Sequence, residues 1–129
     1  MAVLDPLLAA IKTAIEGASI AVEGVNLFWD RMPDLPVEVI CFTRYSGRPG
    51  ERIAELTGIA YDYPRVQLSV RGVDPEVVYN KAQAAYVAVS QYRGTAIQVF
   101  TPQSAVGLVM YDGNNLAYYG TNFEAFRRN

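Results

Sequence analysis

Apolar residues fall at Leu4, Leu8, Ile11, Ile15, Ala18 and Val22. Those alternating steps of four and three place them on one face of a helix, with Asp5, Lys12, Glu16, Ser19 and Glu23 on the other. Asp5-Pro6 supplies a capping side chain followed by proline at the first helical position, and Gly24 is the expected terminator, with Gly17 a weak point inside. A second stripe, Val78, Ala82, Ala85, Val89 and Tyr92, follows Asp74-Pro75-Glu76 and ends at Arg93-Gly94. Small alanines at Ala82, Ala84, Ala85 and Ala88 predict a helix packed close against a sheet.

Between the helices the period changes. "VEVICFTRY" (37–45) reads as a strand, and its unbroken apolar run from Val39 to Phe42 predicts a central strand or one covered on both faces. "PRVQLSVRG" (64–72) alternates, with Val66, Leu68 and Val70 on one side and Arg65, Gln67, Ser69 and Arg71 on the other. Pro64 stands at its start, where a sheet tolerates proline. After the second helix, "TAIQVF" (95–100) is a further strand, and "AVGLVMYD" and "LAYYGTNFEAF" flank Gly113-Asn114 as a hairpin. "NLFWDRMPDLP" carries two prolines that forbid a regular element, and its apolar residues predict a plug over one end of the core. "SGRPGERIAELTGIAYDY" (46–63), with three glycines and a proline, reads as a long loop. The order α-β-β-α-β-β-β predicts an α+β fold over a single domain, 1–129: a mainly antiparallel sheet with two helices packed on one face.

Composition supports a core. Of 129 residues, 51% are hydrophobic and 19% charged. At this length folding buries roughly two-thirds of the chain's surface without a disulfide or metal. No apolar run approaches the ~20 residues that span a bilayer, and the opening "MAVLDPLLAAIKTAIEG" lacks the basic region of a secretory signal. No membrane partner is expected. A net charge of −2 disfavours a bulk nucleic-acid binder. The charge is unevenly placed: residues 1–43 hold two basic and six acidic side chains, residues 44–129 nine basic and seven acidic. Such a molecule can present different surfaces to different partners.

A search for chemistry finds little. With no histidine, Ser-His-Asp and Cys-His systems are absent and so is the commonest zinc ligand. The lone Cys41 lies in an apolar strand, which predicts an inert buried thiol. "GRPGER" lacks the lysine and helix start of a phosphate loop. Glu51 and Glu55 would share a face of a short helix over 51–57, where they read as salt-bridge partners of Arg48 and Arg52. The hairpin turn accounts for Asp112-Gly113-Asn114-Asn115, so no calcium loop is read there. No catalytic, cofactor or metal site is predicted. Scattered tyrosines and phenylalanines on strands, interleaved with arginines, leave a small nucleic-acid-binding module as an alternative.

Three segments, "NLFWDRMPDLPVEVICFTRYSGRPG", "YPRVQLSVRGVDPEVVYNKAQAAYVAV" and "QSAVGLVMYDGNNLAYYGTNFEAFRRN", follow one another in a familiar order and spacing. Together they resemble the tail terminator and minor capsid, or tail-to-head joining, proteins of long-tailed bacteriophages. The resemblance spans residues 4–129; it departs from the family pattern at "SQYRG" and "DGNN". It implies an α+β protomer assembling as a ring, generally a hexamer, at the head-proximal end of the tail tube. Such a ring ends tube polymerisation, docks onto a head connector or head-completion protein, and lets DNA pass without sequence-specific binding. It also implies a virion protein made in the host cytoplasm and not an enzyme. A head-side neck protein is the neighbouring alternative. Arg71 and Phe123 match family positions. The expected subunit or partner contacts are Arg48, Glu51, Arg52 and Glu55 in the long loop, Arg65, Gln67 and Arg71 on the outward strand face, and Phe123, Arg127 and Arg128 near the C-terminus.

Overall fold

Both helices begin where the sequence places their caps. The structure, a computed structural model, describes residues 4–51 and 61–128, with backbone only for 46–51 and 61. The Asp5 carboxylate accepts the Leu7 N–H at 2.7 Å to open α1 (Pro6–Gly17). The Asp74 carboxylate accepts the Glu76 N–H at 3.0 Å to open α2 (Pro75–Ser90). Val78, Ala82, Ala85 and Val89 are buried as their spacing requires. α1 stops short of Gly24. Ser19 adopts a left-handed conformation, and the N–H groups of Ser19 and Ile20 reach back to the carbonyls of Glu16 and Ile15. This closes the helix in a Schellman turn. Val22, expected on the buried stripe, is therefore beyond the helix and more than half exposed.

The strands are β1 (Leu27–Trp29), β2 (Val39–Glu51), β3 (Tyr61–Gly72), β4 (Ile97–Pro102), β5 (Gly107–Tyr111) and β6 (Ala117–Arg128). They form one open six-stranded sheet in the order β1-β2-β3-β6-β4, with β5 also on β6. Only β1–β2 is parallel. The fold is α+β, with both helices on one face. β6 is the spine: one edge pairs with β3, and the other carries β5 against its first half and β4 against its second.

Two expected irregular stretches contain strand. Leu27–Trp29 pairs with Ile40–Phe42 as β1, because Pro33 and Pro36 lie beyond it and leave its N–H groups intact. The predicted 46–63 loop is strand at both ends: β2 runs on to Glu51 and β3 starts at Tyr61. Register shifts between Tyr45 and Arg48 and between Arg48 and Glu51 leave Pro49 outside the regular pairing, the kind of position where a sheet accepts proline. The rest of that predicted loop, 52–60, lies outside the described residues.

Cross-strand partners share a face, so register sorts the sheet. Ile40, Phe42, Val66, Leu68, Val70, Phe100 and Phe123 face the helices and join Leu7, Ile11 and Ile15 in one core. Tyr86, Phe123, Phe100 and Tyr92 form a chain of ring contacts through it, at centroid separations of 5.9, 6.5 and 5.8 Å. The hairpin between β5 and β6 is present. Asn115, not Gly113, takes the left-handed position in its turn, and the Asp112 N–H donates to the Leu116 carbonyl. The Asp112 carboxylate accepts N–H bonds from Asn114 and Leu116 and the Tyr118 hydroxyl.

Charges gather at the start of α1. Arg44 grips Asp30 through Nε and Nη2 and reaches Asp5 at 3.5 Å. Arg127 holds Asp62 through Nε at 2.8 Å and through Nη2, and lies 4.0 Å from Asp5. The Arg44 hydrogen bonds hold the Asp30 carboxyl below its ordinary range. A depressed carboxylate contributes stability that is full above its unfolded pKa, about 4, and is lost as pH falls below that value. The pair is more than a third exposed, so the contribution is below about 1 kcal/mol. Asp30→Asn is expected to reduce the difference between urea midpoints at pH 6 and pH 3 by a small, measurable amount. An unchanged difference would show that the pair adds no acid sensitivity.

Candidate subunit interface

The residues expected to meet a neighbour do not form one surface. Arg65 is half-buried on the open sheet face, with Nε 3.2 Å from the Glu124 carboxylate on β6. Gln67 beside it is exposed. Arg127 is engaged with Asp62 on the helix side of the sheet, while Arg128 is exposed at the end of β6. The side chains of Arg48 and Glu51, and all of Arg52 and Glu55, lie outside the described residues.

Two expectations are corrected. Phe123 is wholly buried, packed on Tyr86 and Phe100, so it serves the protomer's core and not its surface. Arg71 is only 6% exposed. Its guanidinium donates to the carbonyls of Pro33 (2.6 Å), Pro36 (2.8 Å), Val37 (2.9 Å) and Asp34 (3.2 Å). The "MPDLP" segment thus folds over one end of the open face with Arg71 as its anchor, which agrees with a plug in kind but places it on the side opposite the helices.

The surface that sequence reasoning passed over is β5. Leu108, Val109, Met110 and Tyr111 are 50%, 55%, 47% and 50% exposed, and Gly107 is exposed too. β5 pairs only with β6, among the described residues, so its outer edge is bare. It carries no charge and no proline, two of the devices by which edge strands avoid association. A register shift at Val109 is its one irregularity. The signal was present in "GLVMY": a hairpin strand of apolar residues without the polar alternation of a strand that has one covered face.

No protein-family model matches the chain, and no curated protein matches it.

A second apolar area lies on the helix layer. The turn after α1 and the outer face of α2 form a shallow, open groove of about 430 Å³ whose lining includes Ile20, Ala84, Val87 and Ala88. Val87 in this groove is among the exposed apolar residues. Chemistry of another kind is sparse. Cys41 is buried, and burial pushes its thiol up. Among the described residues no group of three or more His, Cys, Asp or Glu is disposed to hold a metal ion. No described helix is long and apolar enough to cross a membrane. What the arrangement offers is association: an uncovered strand edge with apolar side chains on both faces, and an apolar groove elsewhere.

Proposed function

We propose that the chain is a structural protein of a phage neck, forming a ring that closes the head-proximal end of the tail tube and docks it to a head connector or head-completion protein. The observation that carries the reading is β5. A bare, uncharged strand edge with every residue about half exposed suits a subunit completed by its neighbours better than a solitary protein. The resemblance of residues 4–129 to tail terminators supplies the kind of assembly.

The charge pattern favours this over nucleic-acid binding. Arg44, Arg65 and Arg127 are in ion pairs and Arg71 is buried against carbonyls, which takes four of the eleven cations out of ready contact with phosphates. With a net charge of −2, a ring of such subunits would not grip DNA passing through it, since tight binding needs many phosphate contacts. The protein would be made in the host cytoplasm and end in the virion.

Quantitative mass analysis of purified particles is expected to find about six copies each, the number the resemblance to tail terminators implies, and labelled protein at the neck in a particle map. A map placing it on the head side of the junction would favour the connector or head-completion role. Absence from particles would overturn the reading.

A further inference from the structure

Resting on the ring reading, we propose that the ring contact is heterologous: β5 of one copy seats in the groove formed by the turn after α1 and the outer face of α2 of the next. A closed ring needs two different, complementary patches on each subunit, because a patch meeting itself gives a two-fold dimer. The described surface offers such a pair. β5 is a ridge of Leu108, Val109, Met110 and Tyr111 without charge. The groove's lining includes the apolar Ile20, Ala84, Val87 and Ala88 and no charged residue. Joining them strips water from no ion, the costliest group to bury.

Polar chemistry matches as well. The outer edge of β5 presents backbone N–H and C=O groups that need partners once covered. Asn80, Gln83 and Gln91 also line the groove, and their amides each carry both donor and acceptor. Lysines or glutamates in their place would satisfy only half of a strand edge. The other sheet edges are less free to receive β5. At β1, Gly24 N–H donates to the Leu27 carbonyl and Leu27 N–H to Val22; beside β4, Gly94 N–H donates to Gln98. Adding β5 to another copy's β1 or β4 would displace these bonds, whereas the groove stands open.

The contact is tested on assembled protein, formed in solution or isolated in particles, with Val109→Cys and Ala84→Cys and a short bismaleimide. Both positions are exposed, so each variant is expected to fold, and wild type is the control because its one thiol, Cys41, is buried. Mixed variants are expected to cross-link as one-to-one heterodimers. Each variant alone should give no more dimer than wild type, and the double variant should give a ladder up to the full ring. Val109→Cys cross-linking to itself would mean a two-fold β5 contact and would overturn the proposal. Assembled rings without the heterodimer would also overturn it while leaving the ring reading intact. Wild type that forms no oligomer in solution and joins no particle would remove both.

Discussion

Gly120→Ala is expected to destabilise the protomer by about 3 kcal/mol or more, at the severe end for one added methyl group. Gly120 lies on the spine strand, opposite Ser69 of β3 and Gly107 of β5. A Cβ built there falls 2.1 Å from the Leu68 carbonyl oxygen and 3.2 Å from its carbon. The obstacle is backbone in the middle of the β3–β6 ladder, so no rotamer change relieves it. Either the strands separate at their longest pairing or β6 shifts, and both disturb the core on the other face. Gly107→Ala is the control, because its Cβ would meet nothing within 4 Å; it should stay within about 0.5 kcal/mol of wild type. Denaturant titration of the two variants decides the matter. Equal midpoints would show that the sheet has room at Gly120 and that the close approach does not define this pairing.

Where local chemistry determines structure, the sequence was readable. Asp5-Pro6 and Asp74-Pro75 cap their helices, and the alternation of β3 buries Val66, Leu68 and Val70. Features set by distant partners were not. Three residues are too short for a periodic signal, so β1 emerges only from its pairing with β2. Ser19 ends α1 in a conformation usually left to glycine or asparagine, which made the apolar stripe look longer than the helix. Pro49 read as a loop marker because the bulges that accommodate it depend on β3. For the candidate interface, alternation put Arg71 on the correct side of the sheet. It could not reveal that residues 33–37 would return to cover that side. Phe123, matched by family pattern, has a burial explained fully by its pairing with Val66 on the helix face. The exposure of β5 was hidden for a related reason: periodicity tells which face a residue takes, not whether anything lies against it.

Arg71→Met is the second large effect expected, again about 3 kcal/mol or more. Methionine keeps much of the buried stem and removes every donor, so the variant isolates the hydrogen bonds from the packing. Four carbonyls, of Pro33, Asp34, Pro36 and Val37, converge on one guanidinium. Bonds from a charged donor contribute roughly 1.5–3 kcal/mol each where the acceptors are otherwise unpaired, though the loop can recover part of that by moving toward water. Nearby segments offer little replacement, because Pro33 and Pro36 have no N–H to give. Lysine should restore less than half of the loss, since the bonds come from two separated nitrogens, Nη2 to Pro33, Asp34 and Pro36 and Nε to Val37, and one ammonium on a shorter stem cannot occupy both places. Two readouts separate this anchoring role from a surface role. The denaturation midpoint should fall in the order arginine, lysine, methionine, and proteolytic cleavage within 30–38 should quicken in the same order. If methionine left both unchanged, the loop would be held by its own turns, and the guanidinium would have to be explained by something outside the protomer.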